Sequence, residues 1–183
     1  MEVLPNGNIL VVLAELHTVE EATSAGFDPQ WLQEPGLLVE AIEEIAPTAN
    51  GGDVVWRWDS WDHIGKGPEA FDPAARNAQG DWLHVNSIDY NAAFDEIVIS
   101  ARTTSEVYIL DHSTTTAEAR TTRGGRSDRG GSILWRWGNP SNYGAGASSD
   151  KLHFEQHDAQ WIPNGRRGAG DILVYNNGNS RPG

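Results

Sequence analysis

Apolar residues occur along this chain in short runs separated by turn-forming residues. Runs that are rich in β-branched and aromatic residues and bounded by Gly, Pro, Asn, Asp or Ser are typical of strands. The stretch 18–47 is ambiguous, because its pattern fits either a short helix or a strand with an insertion. The pattern as a whole predicts an all-β protein, and its clearest strands are expected at 84–90, 95–102, 105–111 and 131–137.

The same pattern returns along the chain, which indicates internal repeats. Residues 51–58 (GGDVVWRW) resemble residues 130–137 (GGSILWRW), and the Pro-Asn-Gly turn at Pro5 returns at Pro163. The two Trp-Arg-Trp segments are 79 residues apart, and the two prolines are 158 residues apart, which is twice that spacing. Repeats of four short strands are typical of the blades of a β-propeller, whose ring usually contains about four to eight of them.

We therefore expect a β-propeller fragment of four-stranded antiparallel blades that forms an incomplete ring. Residues 1–63 predict the end of one blade with an insertion, 81–137 a full blade, and 153–183 the start of the next, all within a single propeller domain. Because an open set of blades leaves strand edges unpaired, we expect a longer parent protein. The two tryptophans of each Trp-Arg-Trp segment point to the same side of their strand, and we expect them to pack between blades.

Composition narrows the class of function. The formal net charge of −13 at pH 7 disfavours a nucleic-acid partner, because phosphate binding needs clustered Lys and Arg. The absence of Cys excludes disulfides, thiolate metal sites and a Cys nucleophile. The sequence has no apolar run long enough to cross a membrane and no phosphate-binding Gly loop followed by Lys-Ser or Lys-Thr, so a kinase is disfavoured. We expect no cofactor and no metal site, and the oligomeric state stays open.

Two of the six His residues hold the same place in the repeat and are the first candidates for chemistry. His84 lies seven residues before Asn91, and His157 lies seven before Asn164. Because the first strand of a blade faces the central channel, both imidazoles are expected to converge there. Arg102 follows the next strand, and a guanidinium near imidazoles suits a sulfate or phosphate better than a metal cation. The simpler alternatives are a His that hydrogen-bonds a neighbouring blade and a solvated Arg at a strand end.

Several blocks of sequence, together with Arg102, carry a resemblance to a known family: residues 81–88 (DWLHVNSI), 111–116 (DHSTTT), 135–140 (WRWGNP), 156–159 (QHDA) and 171–179 (DILVYNNGN), with a looser match at 4–12 and 51–63. In this order and at these spacings they resemble the arylsulfotransferase (aryl-sulfate sulfotransferase) family of β-propeller type. The resemblance implies sulfuryl transfer from an aryl sulfate to a phenolic acceptor, independent of 3'-phosphoadenosine-phosphosulfate. It also implies a periplasmic or extracellular parent protein, although no signal peptide is visible in this chain.

The resemblance also assigns roles to residues. His157 matches the histidine that carries the sulfuryl group transiently, whereas His84, Asn86 and Arg102 match residues that hold the sulfuryl oxygens. The upstream active-site His of the family has no counterpart here, so we expect the activity in the full-length parent rather than in this chain alone. The implied partners are small molecules, an aryl sulfate and a phenol, with no nucleic acid.

Two other functions stay open on the sequence. One is a non-catalytic propeller that binds a ligand or a protein partner and keeps its His residues as scaffold. The other is a hydrolase, in which water replaces the phenol as acceptor. Fold alone does not separate these alternatives, because propellers host many functions. The positions of His84, Arg102 and His157 in space bear on the choice.

Overall fold

The computed structural model describes residues 1–74 and 80–182, and strands dominate this part of the chain. The strands are β1 (Glu2–Val3), β2 (Ile9–His17), β3 (Leu37–Thr48), β4 (Gly51–Asp59), β5 (Val85–Asn91), β6 (Glu96–Ala101), β7 (Glu106–Asp111), β8 (Trp135–Trp137), β9 (His157–Trp161) and β10 (Ile172–Tyr175). Connections contain the short helices α1 (Val19–Ser24) and α2 (Thr116–Ala119), and 3-10 turns at Pro29–Trp31, Ser60–His63, Pro140–Tyr143 and Ser148–Asp150. The described strands form three antiparallel sheets.

The first sheet has the order β1-β2-β3-β4, so each strand lies beside its neighbour in sequence. Helix α1 begins after β2, where the Thr18 hydroxyl accepts a hydrogen bond from the Glu21 amide and the Glu21 carboxylate accepts one from the Thr18 amide. The ambiguous stretch 18–47 therefore contains both a short helix and most of a long strand. The sheet has four strands, whereas the sequence led us to expect only the later strands of a blade here. The first strand, β1, is only two residues long, too short to be recognised as a strand from its sequence pattern.

The second sheet has the order β5-β6-β7-β8 and matches the expected strands closely. The first three strands begin and end within one residue of the predicted bounds. The fourth is shorter than the predicted 131–137, because residues before it bond to the first part of the chain. The Gly131 carbonyl accepts a 2.8 Å hydrogen bond from the Trp58 indole, and the Ile133 amide donates to the Glu69 carbonyl.

Paired tryptophans fill the space between the first and second sheets. Trp56 and Trp58 on β4 are 4% and 1% exposed, and the Trp56 indole donates to the hydroxyl of Thr114. Each buried indole removes roughly 150–250 Å² from water, so the pair contributes strongly to the packing of the two sheets. Trp135 and Trp137, their counterparts on β8, are 44% and 43% exposed. The expectation of packing between sheets is thus confirmed for the first pair, whereas the third sheet has only β9 and β10 among the described residues.

The first strands of the three sheets lie together. Strand β9 packs against β5 and β6, and β1 also contacts β5. A cavity of about 360 Å³ lies where they meet, between residues 1–2, 87–89 and 158–160. None of the described sheets is closed, and side-by-side antiparallel sheets with adjacent first strands are the arrangement of part of a β-propeller. The chain is therefore all-β, as predicted.

Candidate functional site

The four candidate residues from the sequence lie at one end of the second and third sheets. His84 immediately precedes β5, Asn86 is the second residue of β5, Arg102 immediately follows β6, and His157 is the first residue of β9. Because β5 and β6 are antiparallel, the start of one adjoins the end of the other. Strand β9 packs against both. The fold thus brings the four residues into one region.

Both sheets are irregular at this point. Asn86 is an extra residue in β5, opposite residues 100–101 of β6. Strand β9 has a corresponding extra residue at 158–159, opposite β10. Bulges of this kind redirect side chains and are common beside active sites. Next to them, His84 and Asp158 have φ angles of 51° and 59°, a left-handed region that residues other than Gly seldom enter.

Gln156 attaches the strand of His157 to the second sheet. Its side chain is fully buried, and its backbone carbonyl accepts a 2.9 Å hydrogen bond from Asn86 Nδ2. One amide hydrogen of Asn86 is therefore engaged within the protein, and no residue in the described part of the chain accepts the other. The Gln156 amide nitrogen, Nε2, has three acceptors at 2.8–3.0 Å: Ser100 Oγ, the Ala101 carbonyl and the Glu106 carbonyl.

The hydrogen bonds of His157 select one tautomer of its ring. Nδ1 lies 3.1 Å from the carbonyl oxygen of Glu155 and 3.1 Å from Oδ1 of Asn177. A carbonyl oxygen only accepts hydrogen bonds, so the proton of the neutral imidazole belongs on Nδ1. Nε2 has no hydrogen-bond partner among residues 1–74 and 80–182. Neutral His157 therefore offers the lone pair of Nε2 as a nucleophile.

Arg102 brings a positive charge to this region and is bound to the segment before His157. Its guanidinium forms an ion pair with the carboxylate of Glu155, and both side chains are about one-third exposed. Asn179 Nδ2 donates to the same carboxylate at 2.9 Å. This amide, together with the guanidinium, holds the pKa of Glu155 below its ordinary value. Arg102 is thus paired in this arrangement, although the ion pair uses only one of its three nitrogens.

His84 is held by a carboxylate and by the backbone of Arg102. Its Nδ1 is within hydrogen-bond distance of Asp81 Oδ2, and the two side chains are 42% and 36% exposed. Its carbonyl accepts a 3.2 Å hydrogen bond from the Arg102 amide. A carboxylate acceptor places the proton on Nδ1. No described residue hydrogen-bonds Nε2.

The candidate residues are connected through their neighbours rather than directly. In the described part of the chain, no hydrogen bond joins the side chains of His84, Arg102 and His157 to one another. Glu155 binds Arg102 with its carboxylate and His157 with its carbonyl. Glu155 therefore joins the guanidinium of Arg102 to the ring of His157, whereas His84 meets Arg102 through its backbone carbonyl. Imidazoles and a guanidinium are residue types that suit a tetrahedral oxyanion.

The family comparison agrees with this chemistry. A family model described as arylsulfotransferase (ASST) matches residues 1–183. The chain belongs to the arylsulfotransferase family. A search of curated proteins found no match. Membership points to aryl-sulfate sulfotransferase activity, and the resemblance drawn from the sequence motifs is confirmed. Among the described residues, no helix has the length and apolar character needed to span a membrane.

Sequence reasoning missed several residues that hold this candidate site together. Glu155, Gln156 and Asn177 each lie beside or within a matched sequence block, which was the available signal. Asp81 opens the first of those blocks. The side-chain partners of Glu155, Gln156 and Asn177 lie in other sheets or other blocks, so no local spacing in the sequence reveals these pairings, whereas Asp81 binds His84 three residues on in the same block.

His112, which also belongs to a matched block, lies in a different cluster. Its Nδ1 contacts Asp95 Oδ1 and its Nε2 contacts Glu44 Oε2, both at 2.9 Å. Glu44 is on β3, whereas Asp95 precedes β6, so the imidazole links the first sheet to the second. Within residues 1–74 and 80–182 no group of three or more His, Cys, Asp or Glu is arranged to hold a metal ion.

Proposed function

We propose that the full-length protein transfers a sulfuryl group from an aryl sulfate to a phenol, with His157 as the transient carrier. The observation that carries this proposal is the hydrogen bonding of His157, whose Nδ1 faces two acceptors while Nε2 is left without a described partner. A neutral imidazole nitrogen in this state is a competent nucleophile near neutral pH. Membership of the arylsulfotransferase family supports the choice of substrate class.

Two displacements at sulfur account for the reaction. In the first, the Nε2 lone pair of His157 forms an N–S bond while the S–O bond to the aryl group breaks and a phenolate leaves. In the second, the acceptor phenol oxygen forms an S–O bond while the N–S bond breaks. The proton of the acceptor ends on the departed phenolate, so the net products are a phenol and a new aryl sulfate. Kinetics of the ping-pong type follow from this route.

Arg102 and His84 provide positive charge and donors for the sulfuryl oxygens in this mechanism. One well-placed donor at a developing negative charge is worth about 3–4 kcal/mol of barrier. The Arg102 nitrogens outside the Glu155 ion pair, and the second amide hydrogen of Asn86, are the groups we assign to this task. His84 Nε2, the ring nitrogen that Asp81 does not engage, is the third group we assign to the sulfuryl oxygens.

A non-catalytic binding module is the second candidate, and one observation favours it. Arg102 is already neutralised by Glu155, and an amide hydrogen of Asn86 is already used by the Gln156 carbonyl. A scaffold role would need no more than these contacts. The alternative predicts a protein that binds an aryl sulfate, or another partner, without releasing phenol.

The test uses the full-length protein and a chromogenic aryl sulfate, with and without an added phenol. We expect phenol-dependent turnover, and a loss of at least roughly a thousandfold in kcat for His157→Ala. His17→Ala is the matched control, since His17 ends β2 and stacks on Trp61 in the 3-10 turn after β4, at 3.8 Å between ring centroids. Intact mass measured with donor alone should show one added sulfuryl group, which His157→Ala lacks.

Three results would overturn parts of this assignment. Absence of turnover, or full activity of His157→Ala, would refute the sulfuryl carrier and favour the binding module. Release of phenol that ignores the added acceptor would assign the protein as a hydrolase. We further propose a periplasmic or extracellular location for the full-length protein, as the family resemblance implies; recovery in the cytosolic fraction of its source cells would contradict it.

A further inference from the structure

A buried carboxylate on the first sheet faces the segment that carries His84. Glu40 lies in β3 and is 4% exposed. Its Oε2 accepts a 3.3 Å hydrogen bond from the Leu83 amide, and its Oε1 accepts a 3.2 Å bond from the Val85 amide. These two amides flank His84, so the Glu40 carboxylate hydrogen-bonds the backbone on both sides of His84.

This carboxylate has no cationic hydrogen-bond partner among the described residues, which is unusual for a buried Glu. An ionised group in such a place is costly unless several donors satisfy it. Nearby backbone bonds join the same two parts of the chain, since the Leu38 amide donates to the Gly80 carbonyl and the Trp82 amide to the Leu38 carbonyl. Strand β3 therefore binds the chain from 80 to 85 in two ways: through its backbone at Leu38, and through the side chain of Glu40.

The segment 83–85, which Glu40 holds, is also bonded to the backbone of residues 102–103. The His84 carbonyl accepts from the Arg102 amide at 3.2 Å, and the Leu83 carbonyl accepts from the Thr103 amide at 3.1 Å. The backbone at His84 is also in the left-handed region, with φ of 51°, which the surrounding contacts must maintain. Loss of the two hydrogen bonds to Glu40 would thus move His84 and the start of the loop that carries Arg102.

We propose that Glu40 is a positioning residue of the sulfuryl-transfer site, which acts from the neighbouring sheet by holding residues 83–85. This inference rests on the proposed function, because it assigns His84 and Arg102 to the sulfuryl oxygens. Glu40 itself does not touch the substrate. It fixes the positions of His84 and Arg102, beside the second sheet, relative to His157 on the third sheet.

The ionised form of Glu40 is the one that fits this task, because both of its oxygens accept hydrogen bonds. Burial raises the pKa of Glu40 to about 7, and the charge of Asp81 acts in the same direction. His84 on the held segment 83–85 and Asp81, two residues before that segment, are the titratable groups on this side of Glu40. From the flanking strands, Ala14 of β2 pairs with Glu40, and Ser60 after β4 donates to its carbonyl. We therefore expect kcat to rise with pH near 7, in part because Glu40 ionises there.

The experiment compares Glu40→Gln with Glu44→Gln in the full-length protein. Both residues are buried in β3, but Glu44 binds His112 and does not contact the segment 83–85. In Glu40→Gln one oxygen acceptor becomes an NH₂ group that faces a backbone N–H. We expect kcat per folded molecule to fall about ten- to a hundredfold, since displacement of a catalytic group by about 1 Å has an effect of this size.

Three further readouts separate positioning from loss of folded protein. KM for the aryl sulfate should change by less than about threefold, because the displaced donors act mainly in the transition state. The component of the pH profile near pH 7 should disappear in Glu40→Gln. Amide hydrogen exchange of residues 80–86 should accelerate in Glu40→Gln and stay unchanged in Glu44→Gln, whose kcat should equal that of the wild type.

The outcomes are distinct. A Glu40→Gln protein with at least half of the wild-type kcat, or with unchanged exchange at 80–86, would refute the positioning role, as would an equal loss of kcat in Glu44→Gln. If Glu40→Gln does not fold, Glu40→Asp replaces it: one methylene shorter, it withdraws the oxygens, and full activity would refute the role. A wild type without sulfuryl transfer would refute the proposed function instead, and the exchange measurement would still decide whether Glu40 holds the segment.

Discussion

Replacement of Gln156 by Glu should separate the strand of His157 from the second sheet with almost no change of shape. The Nε2 atom that donates toward Ser100 Oγ and the carbonyls of Ala101 and Glu106 becomes an oxygen. Each buried carbonyl that loses its donor costs about 1–3 kcal/mol. An ionised carboxylate in a fully buried place adds to that loss. We expect a decrease of about 3–5 kcal/mol in the free energy of unfolding, comparable with the breaking of a buried ion pair.

The assay is urea denaturation at neutral pH, with Gln160→Glu as the control. Gln160 lies on the same strand but is exposed, so its replacement should change stability by no more than about 0.5 kcal/mol. Burial should raise the pKa of the new carboxyl in the native state above its unfolded value of about 4.3. The native state then binds the extra proton more tightly, so the deficit of Gln156→Glu should shrink as the pH falls toward 4.

A Gln156→Glu variant within 1 kcal/mol of wild type at neutral pH would refute this reasoning. So would a deficit that stays constant from pH 7 to pH 4, because it would mean that the new group is not buried among acceptors. The folded fraction of the variant should also have reduced kcat, since Gln156 immediately precedes His157. Normal kcat would show that other contacts suffice to position the nucleophile.

The remaining predictions concern charge and inter-sheet packing. Glu155→Gln should lower KM for the aryl sulfate about three- to tenfold, because it frees Arg102 from its ion pair. The change is modest because both side chains of the pair are about one-third exposed. An increase in KM would mean that Glu155 instead orients the guanidinium. Because the pKa of Glu40 is raised from 4.5 to about 7, wild-type stability should fall by up to about 3 kcal/mol as the pH rises from 4.5 to 7; Glu40→Gln should lack this fall in urea denaturation. Trp58→Phe should lower the free energy of unfolding by about 1–3 kcal/mol, because it removes the buried hydrogen bond from the indole to the Gly131 carbonyl. Trp137 is exposed, so Trp137→Phe should lower it by less than about 0.5 kcal/mol in the same assay.

The second sheet could be predicted from sequence because its strands are short, rich in β-branched residues and separated by turn residues. Strand β3 could not, since it runs over twelve residues and carries Glu40, Glu43 and Glu44. Two of these carboxylates point inward and are satisfied by groups far away in sequence, the amides at 83 and 85 and the ring of His112. A pattern of apolar and polar positions treats such residues as exposed, and so does not predict a buried strand there.

The candidate site was predictable only in part, for a similar reason. Equivalent positions in two repeats identified His84 and His157, because repetition is visible in one sequence. Glu155 and Gln156 act through hydrogen bonds to residues about 50 positions earlier, which no repeat or spacing encodes. The tautomer of His157 that leaves Nε2 with a lone pair also depends on a backbone carbonyl. Such information exists only in the folded chain.

The position of the site where sheets meet has a mechanical consequence. His157 is on the third sheet, Arg102 and His84 are on the second, and Glu40 reaches His84 from the first. The contacts that join these sheets near the site are mainly single hydrogen bonds, each worth about 1 kcal/mol, whereas hydrophobic burial stabilises the interior of the packed sheets. We therefore expect a small relative displacement of the sheets to move the charged groups while the core stays packed. If the proposed function holds, we expect activity to depend on how the sheets are placed relative to one another as well as on the stability of each sheet.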